Sequence, residues 1–202
     1  MKIVGISEGM HDAALSVIDD TEITYASHSE RYSRVKNDKW VHKSQWKFVK
    51  DADTVAYYEK PFWKNTRRLY SGRSWKKTTS EYDISFRHHE SHAAAGYYTA
   101  PFDDCNILVI DAIGEWDTVS IWEGKNNELK KIKSWKYPYS LGLLYSAITQ
   151  RIGLKPQEDE YITMGMAAYG HRTYNIDELL WQNNQWGVGN LLPNAENEDL
   201  AL

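Results

Sequence analysis

One stretch constrains this chain more than any other: Arg87-His88-His89-Glu90-Ser91-His92-Ala93-Ala94-Ala95-Gly96-Tyr97-Tyr98. It follows the extended run Tyr82-Asp83-Ile84-Ser85-Phe86 and is rich in alanine, which predicts a helix entered directly from a strand. Helical positions four apart share a face, so the imidazoles of His88 and His92 stand side by side. His89 points about 100° away on the helical wheel and serves a different purpose. Two histidines in this register form a metal grip suited to iron or zinc, with further ligands needed from elsewhere. The small side chains of Ala93, Ala94 and Ala95 let such a helix lie close against a neighbour. Zinc-protease spacing is excluded, because His89-Glu90 would need a histidine where the chain has Ala93. Taken alone, the pair reads equally as a solvated or capping histidine cluster.

A chain of 202 residues suffices for one good domain or two small lobes. Its net charge of −4 and pI near 6.0 leave no electrostatic footprint for nucleic acid or an anionic membrane, so neither is expected as a partner. The lone Cys105 excludes an internal disulfide and a cysteine zinc site, and fits a reducing compartment. The longest apolar run, Ile107-Leu108-Val109-Ile110, is too short to span a bilayer, and Glu8 arrives too early for a secretory leader. These features predict a cytoplasmic protein.

From the N-terminus, Lys2–Ser7, Ala13–Ile18 and Glu22–His28 read as three strands separated by turns at Glu8–Asp12 and Asp19-Asp20. A glycine turn between strands can hold a phosphate or carbonyl oxygen on its amides, or can be a plain hairpin. Residues 33–80 are basic and aromatic, which reads as a solvated insertion, with a helix over 44–49 and a strand over 54–58. After the histidine helix, Asn106–Ile110 is a buried strand running into Asp111-Ala112-Ile113-Gly114-Glu115-Trp116. An aspartate there suits a carboxylate that handles metal or nucleotide, or one that merely initiates a turn. Thr118–Trp122 and Leu129–Trp135 form a hairpin around Gly124–Asn127. Ser140 then caps an amphipathic helix that ends near Gly153. Beyond residue 170 the pattern decays, leaving one helix over Ile176–Trp181 in a tail of 171–202.

Five motifs in register over residues 3 to 170 carry a resemblance. They are Gly5-Ile6-Ser7 with His11-Asp12-Ala13-Ala14; Ser29-Glu30-Arg31-Tyr32-Ser33-Arg34; His88-His89-x-x-His92-Ala93; Asp111-x-x-Gly114-Glu115-Trp116 with Ser140-Leu141-Gly142-Leu143-x-Tyr145; and Glu160-x-x-x-Met164-Gly165-x-Ala167-Ala168-Tyr169-Gly170. Together they resemble the O-carbamoyltransferases that make carbamoylated antibiotics and nodulation factors. The resemblance implies an α/β lobe of the actin/Hsp70-like fold related to ribonuclease H, over residues 1–170. It implies a carbamoyl-adenylate, made from carbamoyl phosphate and ATP in a separate domain, whose carbamoyl group passes to a hydroxyl acceptor. It further implies an iron-type metal on His88 and His92, completed by an aspartate far downstream. By the same resemblance His11 would serve as base near the acceptor hydroxyl, and Asp111, Gly114, Glu115 and Ser140 would face the nucleotide; that Asp12 orients the His11 ring is inferred from its adjacency alone.

Two departures stand out. Ile162 occupies the place of the family's usual lysine, which weakens phosphate contact there. The chain also stops at Leu202, well short of the family's length, so half of an interlobe cleft and the adenylate-forming domain are expected from elsewhere. The expected partners are therefore a small hydroxyl acceptor and a second polypeptide or second copy of the chain. The rival expectation is a non-catalytic metal- or nucleotide-binding relative of the same fold.

Overall fold

A computed structural model of the chain describes residues 1–78, 80–171, 181–182 and 185–186. The chain divides into two units. One comprises Met1–Thr66 with Ser74–Ser91, and the other Arg67–Arg73 with His92–Leu202.

The first unit is built on a sheet of five strands: β1 (Lys2–Ser7), β2 (Ala14–Asp19), β3 (Glu22–His28), β4 (Thr54–Tyr57) and β5 (Ile84–Ser85). Their order across the sheet is β3-β2-β1-β4-β5. The first three strands form an antiparallel meander, and β4 and β5 run parallel to β1 and to each other. A meander extended by two parallel strands makes a mixed sheet, and with the helices around it the fold is of the α/β class that the sequence led us to expect. Alternation along the strands sends Val4, Ile6, Leu15, Val17, Val55 and Tyr57 to one face, where they form the buried core with Val41. A short helix α1 (Glu30–Ser33) follows β3, and the segment after it covers that core with Val41 and with Trp46, Phe48, Val49 and Ala52 at and beyond a 3₁₀ turn (Trp46–Phe48). The basic and aromatic stretch 33–80 therefore contributes β4 to the sheet, and it also carries helix α2 (Pro61–Tyr70). The opposite face bears the small residues Gly5, Ser7, Ala14, Ser16, Ala26 and Ala56, which floor a trough of about 500 Å³.

Helix α3 (His88–Tyr98) leaves β5 after two residues, which confirms the strand-into-helix reading. The division between the units passes along this helix, between Ser91 and His92. The second unit holds an antiparallel meander of β6 (Cys105–Gly114), β7 (Asp117–Lys125) and β8 (Glu128–Lys136). The β7–β8 hairpin closes on Asn126 and Asn127, both at positive φ (52° and 61°). That conformation matches the twist of the flanking strands, and asparagine tolerates it. Of the three alanines only Ala93 is buried, in a cluster with Val109 and Trp122. One turn later the ring of Tyr97 lies on Gly124, where a Cβ would fall 2.6 Å from the ring. Helix α4 (Leu141–Arg151) begins at Ser140, whose hydroxyl accepts from the Leu143 amide, so the predicted cap is present. Helix α5 (Glu160–Ala167) follows, joined to α4 by Ser146 with Glu160 and Thr149 with Thr163. Two short strands, β9 (Trp181–Gln182) and β10 (Gln185–Trp186), pair antiparallel. The helix expected over Ile176–Trp181 lies, through residue 180, outside the described residues.

Candidate metal centre and acid–base turn

The turn from β1 to β2 is held from inside. Glu8 is buried, and its carboxylate accepts from the Ser80 hydroxyl and, at 3.5 Å, from the Val41 amide. Its carbonyl accepts from the hydroxyls of Tyr57 at 3.3 Å and Tyr58 at 3.4 Å. The Gly9 amide donates to the Lys39 carbonyl at 2.7 Å and the Ala13 amide to the Asp38 carbonyl at 2.7 Å. Gly9 reverses the chain at φ 89°, a conformation that costs glycine little, and Asp12 follows at φ 52°. Anchored on both sides, the turn presents His11 and Asp12 to solvent. Their side chains meet, with His11 Nδ1 and Asp12 Oδ2 2.9 Å apart. When Nδ1–H donates to this carboxylate, Nε2 keeps the lone pair that a base needs. Burial, with the carboxylates of Glu59 and Glu8 nearby, raises the Tyr57 phenol well above its ordinary range.

On α3, His88 and His92 lie one turn apart on one face, as their spacing predicts. The sequence reading sought a further ligand far downstream, but one stands closer. Asp111, on β6, brings a carboxylate oxygen to the pair, and the three ligand atoms all lie within 4.8 Å of one another. Donors bonded to one ion at 2.0–2.2 Å sit about 3–4.3 Å apart, so a small rotamer change closes the set. Two imidazoles and one carboxylate suit iron(II) or zinc, and leave coordination positions open for other ligands. The residues present therefore fit the metal that the sequence reading expected.

Asp111 is held by its surroundings. Its Oδ1 accepts from the Ala112 amide at 2.7 Å. Ser140 Oγ donates to the Ala112 carbonyl at 2.6 Å while accepting from the Leu143 amide at 3.0 Å. Ser140 thus ties the start of α4 to the strand that carries Asp111, and its hydroxyl is engaged on both sides. Gly114 ends β6, and Glu115 turns at φ 54° with its side chain buried. Sequence reasoning missed Glu8 and the joining of Asp111 to the histidines. An acid before a glycine reads as the wet side of a turn, and its partner Ser80 is 72 residues away. Similarly, no local pattern links α3 to a carboxylate on β6.

The family model described as Carbamoyltransferase N-terminus matches residues 46–194. The uncharacterized protein sll1178 of Synechocystis sp. is 31% identical over 88% of this chain and 36% of its own length. Nodulation protein NolNO of Sinorhizobium fredii is 27% identical over 80% of this chain and 28% of its own. The chain thus spans roughly a third of the length of these curated relatives. Among solved structures, the PPX-GPPA enzyme of Aquifex aeolicus is similar at TM-score 0.36 and 11% identity, over 83% of this chain and 61% of its own, too distant to bear on the site.

Proposed function

This chain belongs to the carbamoyltransferase N-terminus family, and on that premise we propose that it supplies the metal-holding and acid–base residues of an enzyme that carbamoylates a hydroxyl acceptor. The observation that carries the proposal is the convergence of His88, His92 and Asp111. Bound there, iron or zinc would supply a Lewis acid for negative charge developing on the carbamoyl or phosphate oxygen. The chain's own residues do the rest. His11, acting at Nε2, takes the acceptor's hydroxyl proton, and Asp12 steadies the ring and offsets its new charge across the 2.9 Å contact. Gly114 and Glu115 shape the turn beside Asp111 on the nucleotide's side. The donor would be carbamoyl-adenylate, made from carbamoyl phosphate and ATP by residues outside this chain. Completion of the site would fall to further polypeptide, in the same or a partner chain.

A second reading, a binding or regulatory relative without turnover, is favoured by Ile162 alone, where the family's lysine would contact phosphate.

Metal analysis of the purified chain tests the proposal. The wild type should carry iron or zinc, and His88→Ala, His92→Ala and Asp111→Asn should each lose most of it. Equal metal in all four proteins would sink the assignment. Adding carbamoyl-adenylate and a hydroxyl acceptor to the assembled enzyme should then show transfer that falls at least ~100-fold in His11→Ala. Unchanged transfer in that variant would remove His11 from the chemistry.

A further inference from the structure

We propose that Tyr58 is a positioning residue that locks the metal-bearing helix to the acid–base turn, an inference that rests on the metal reading above. Three different parts of this residue are engaged. Its ring meets the His88 imidazole edge-on, with centroids 5.4 Å apart and planes at 65°. Its carbonyl accepts from the Ser91 hydroxyl at 2.8 Å, which holds the first turn of α3 to the end of β4. Its hydroxyl donates to the Glu8 carbonyl, next to the turn that carries His11 and Asp12.

Each contact constrains something the site needs. A metal ligand binds well only when its ring already points at the ion, and packing against that ring removes the rotation it would otherwise lose on binding. The edge-to-face contact fixes the ring plane of His88, because tilting the imidazole would break a geometry that aromatic pairs prefer. The Ser91 bond sits between His88 and His92 and sets the height of the helix against the strand. At the other end, the hydroxyl shares the Glu8 carbonyl with Tyr57. Losing it loosens the turn without removing its other anchors. Tyr58 thus has two separable effects: its ring acts on the metal ligand, and its hydroxyl on the base-bearing turn.

Two variants separate them. Tyr58→Leu removes the ring edge and the hydroxyl, whereas Tyr58→Phe removes the hydroxyl alone. The readouts are cobalt(II) affinity by competition with a chromophoric chelator, the visible spectrum of the bound cobalt, and hydrogen exchange of the Gly9–Asp12 amides. Tyr58→Leu should weaken cobalt about tenfold and change its spectrum. Tyr58→Phe should keep affinity and spectrum within about twofold of wild type while exchange in the turn quickens. Wild type that binds no cobalt would sink the metal reading itself. Wild type that binds, with a Tyr58→Leu protein that matches it in affinity and spectrum, would overturn the role of Tyr58. If Tyr58→Leu does not fold, Tyr58→Phe decides: unchanged exchange in the turn, or a shifted cobalt spectrum, would also overturn it.

Discussion

Gly142 lies so close to Ala112 that a Cβ on it would sit 2.6 Å from both the Cα and the amide nitrogen of Ala112. Both are backbone atoms, so no side chain can swing aside. The first turn of α4 therefore rests directly on the strand that carries Asp111. Gly142→Ala should cost about 1–3 kcal/mol, seen as a lower urea midpoint with unchanged slope. It should also weaken metal retention, since the clash presses on the Asp111–Ala112 backbone. A Gly142→Ala protein as stable as wild type would show that the helix can retreat without cost.

Ser140 works on the same joint by hydrogen bonds. Its hydroxyl both caps α4 and bridges to the Ala112 carbonyl, and it is fully buried. Alanine there leaves a buried amide and a half-buried carbonyl short of a partner. A loss of about 1–2 kcal/mol is expected, at the high end for an N-cap, and Ser140→Thr should recover most of it. If Ser140→Ala leaves stability unchanged but abolishes nucleotide-dependent transfer, the hydroxyl serves the cofactor, as the sequence first led us to expect.

Tyr57 gives a pH test. Its phenol is raised by burial first, then by Glu59 and Glu8. The folded state therefore holds this proton to higher pH than the unfolded chain, whose tyrosines titrate near ~10. The contribution to stability is complete below pH ~10 and is lost as pH rises toward the folded value. Wild type should lose stability steeply above pH ~10, and Tyr57→Phe should lose less across the same window. Parallel alkaline limbs in the two proteins would remove Tyr57 as the cause.

Much of this fold is legible in local pattern. The bounds of β3, the Asn126-Asn127 hairpin and the Ser140 cap follow from alternation, turn chemistry and capping, and these act within a few residues. The parallel pairing of β4 with β1 is not legible this way, because it joins Val4 to Val55 across a segment of mixed basic and aromatic residues. Helix α2 was hidden by the same composition, and β5 is two residues long. For the site, the spacing of His88 and His92 is a helical property and can be read directly. The approach of Asp111 depends on how α3 lies on β6, which is set by Ala93 and Val109 in the core. Three-dimensional packing decides that contact, and one sequence contains no local sign of it.

Helix α5 supplies the last prediction. It has no buried residue, and it is joined to α4 by polar pairs, Ser146 with Glu160 and Thr149 with Thr163. Its apolar side chains face outward: Met164 is 66% exposed, Met166 53%, and Tyr169 just beyond the helix 91%. Tyr145 on α4 adds a further half-exposed ring. Apolar groups gathered on one short helix are costly to leave in water, and monomeric proteins seldom keep large patches of this kind open. The chain should therefore self-associate or bind a second polypeptide through α5, burying at least ~1,000 Å² if the contact is specific. Sedimentation velocity at micromolar concentration should show a species heavier than the monomer. Met166→Lys puts a charge into the middle of that contact, so it should shift the population to monomer while the circular dichroism spectrum stays unchanged. Monomer in both proteins, with nothing co-purifying, would mean that α5 is no interface and that its exposed methionines need another explanation.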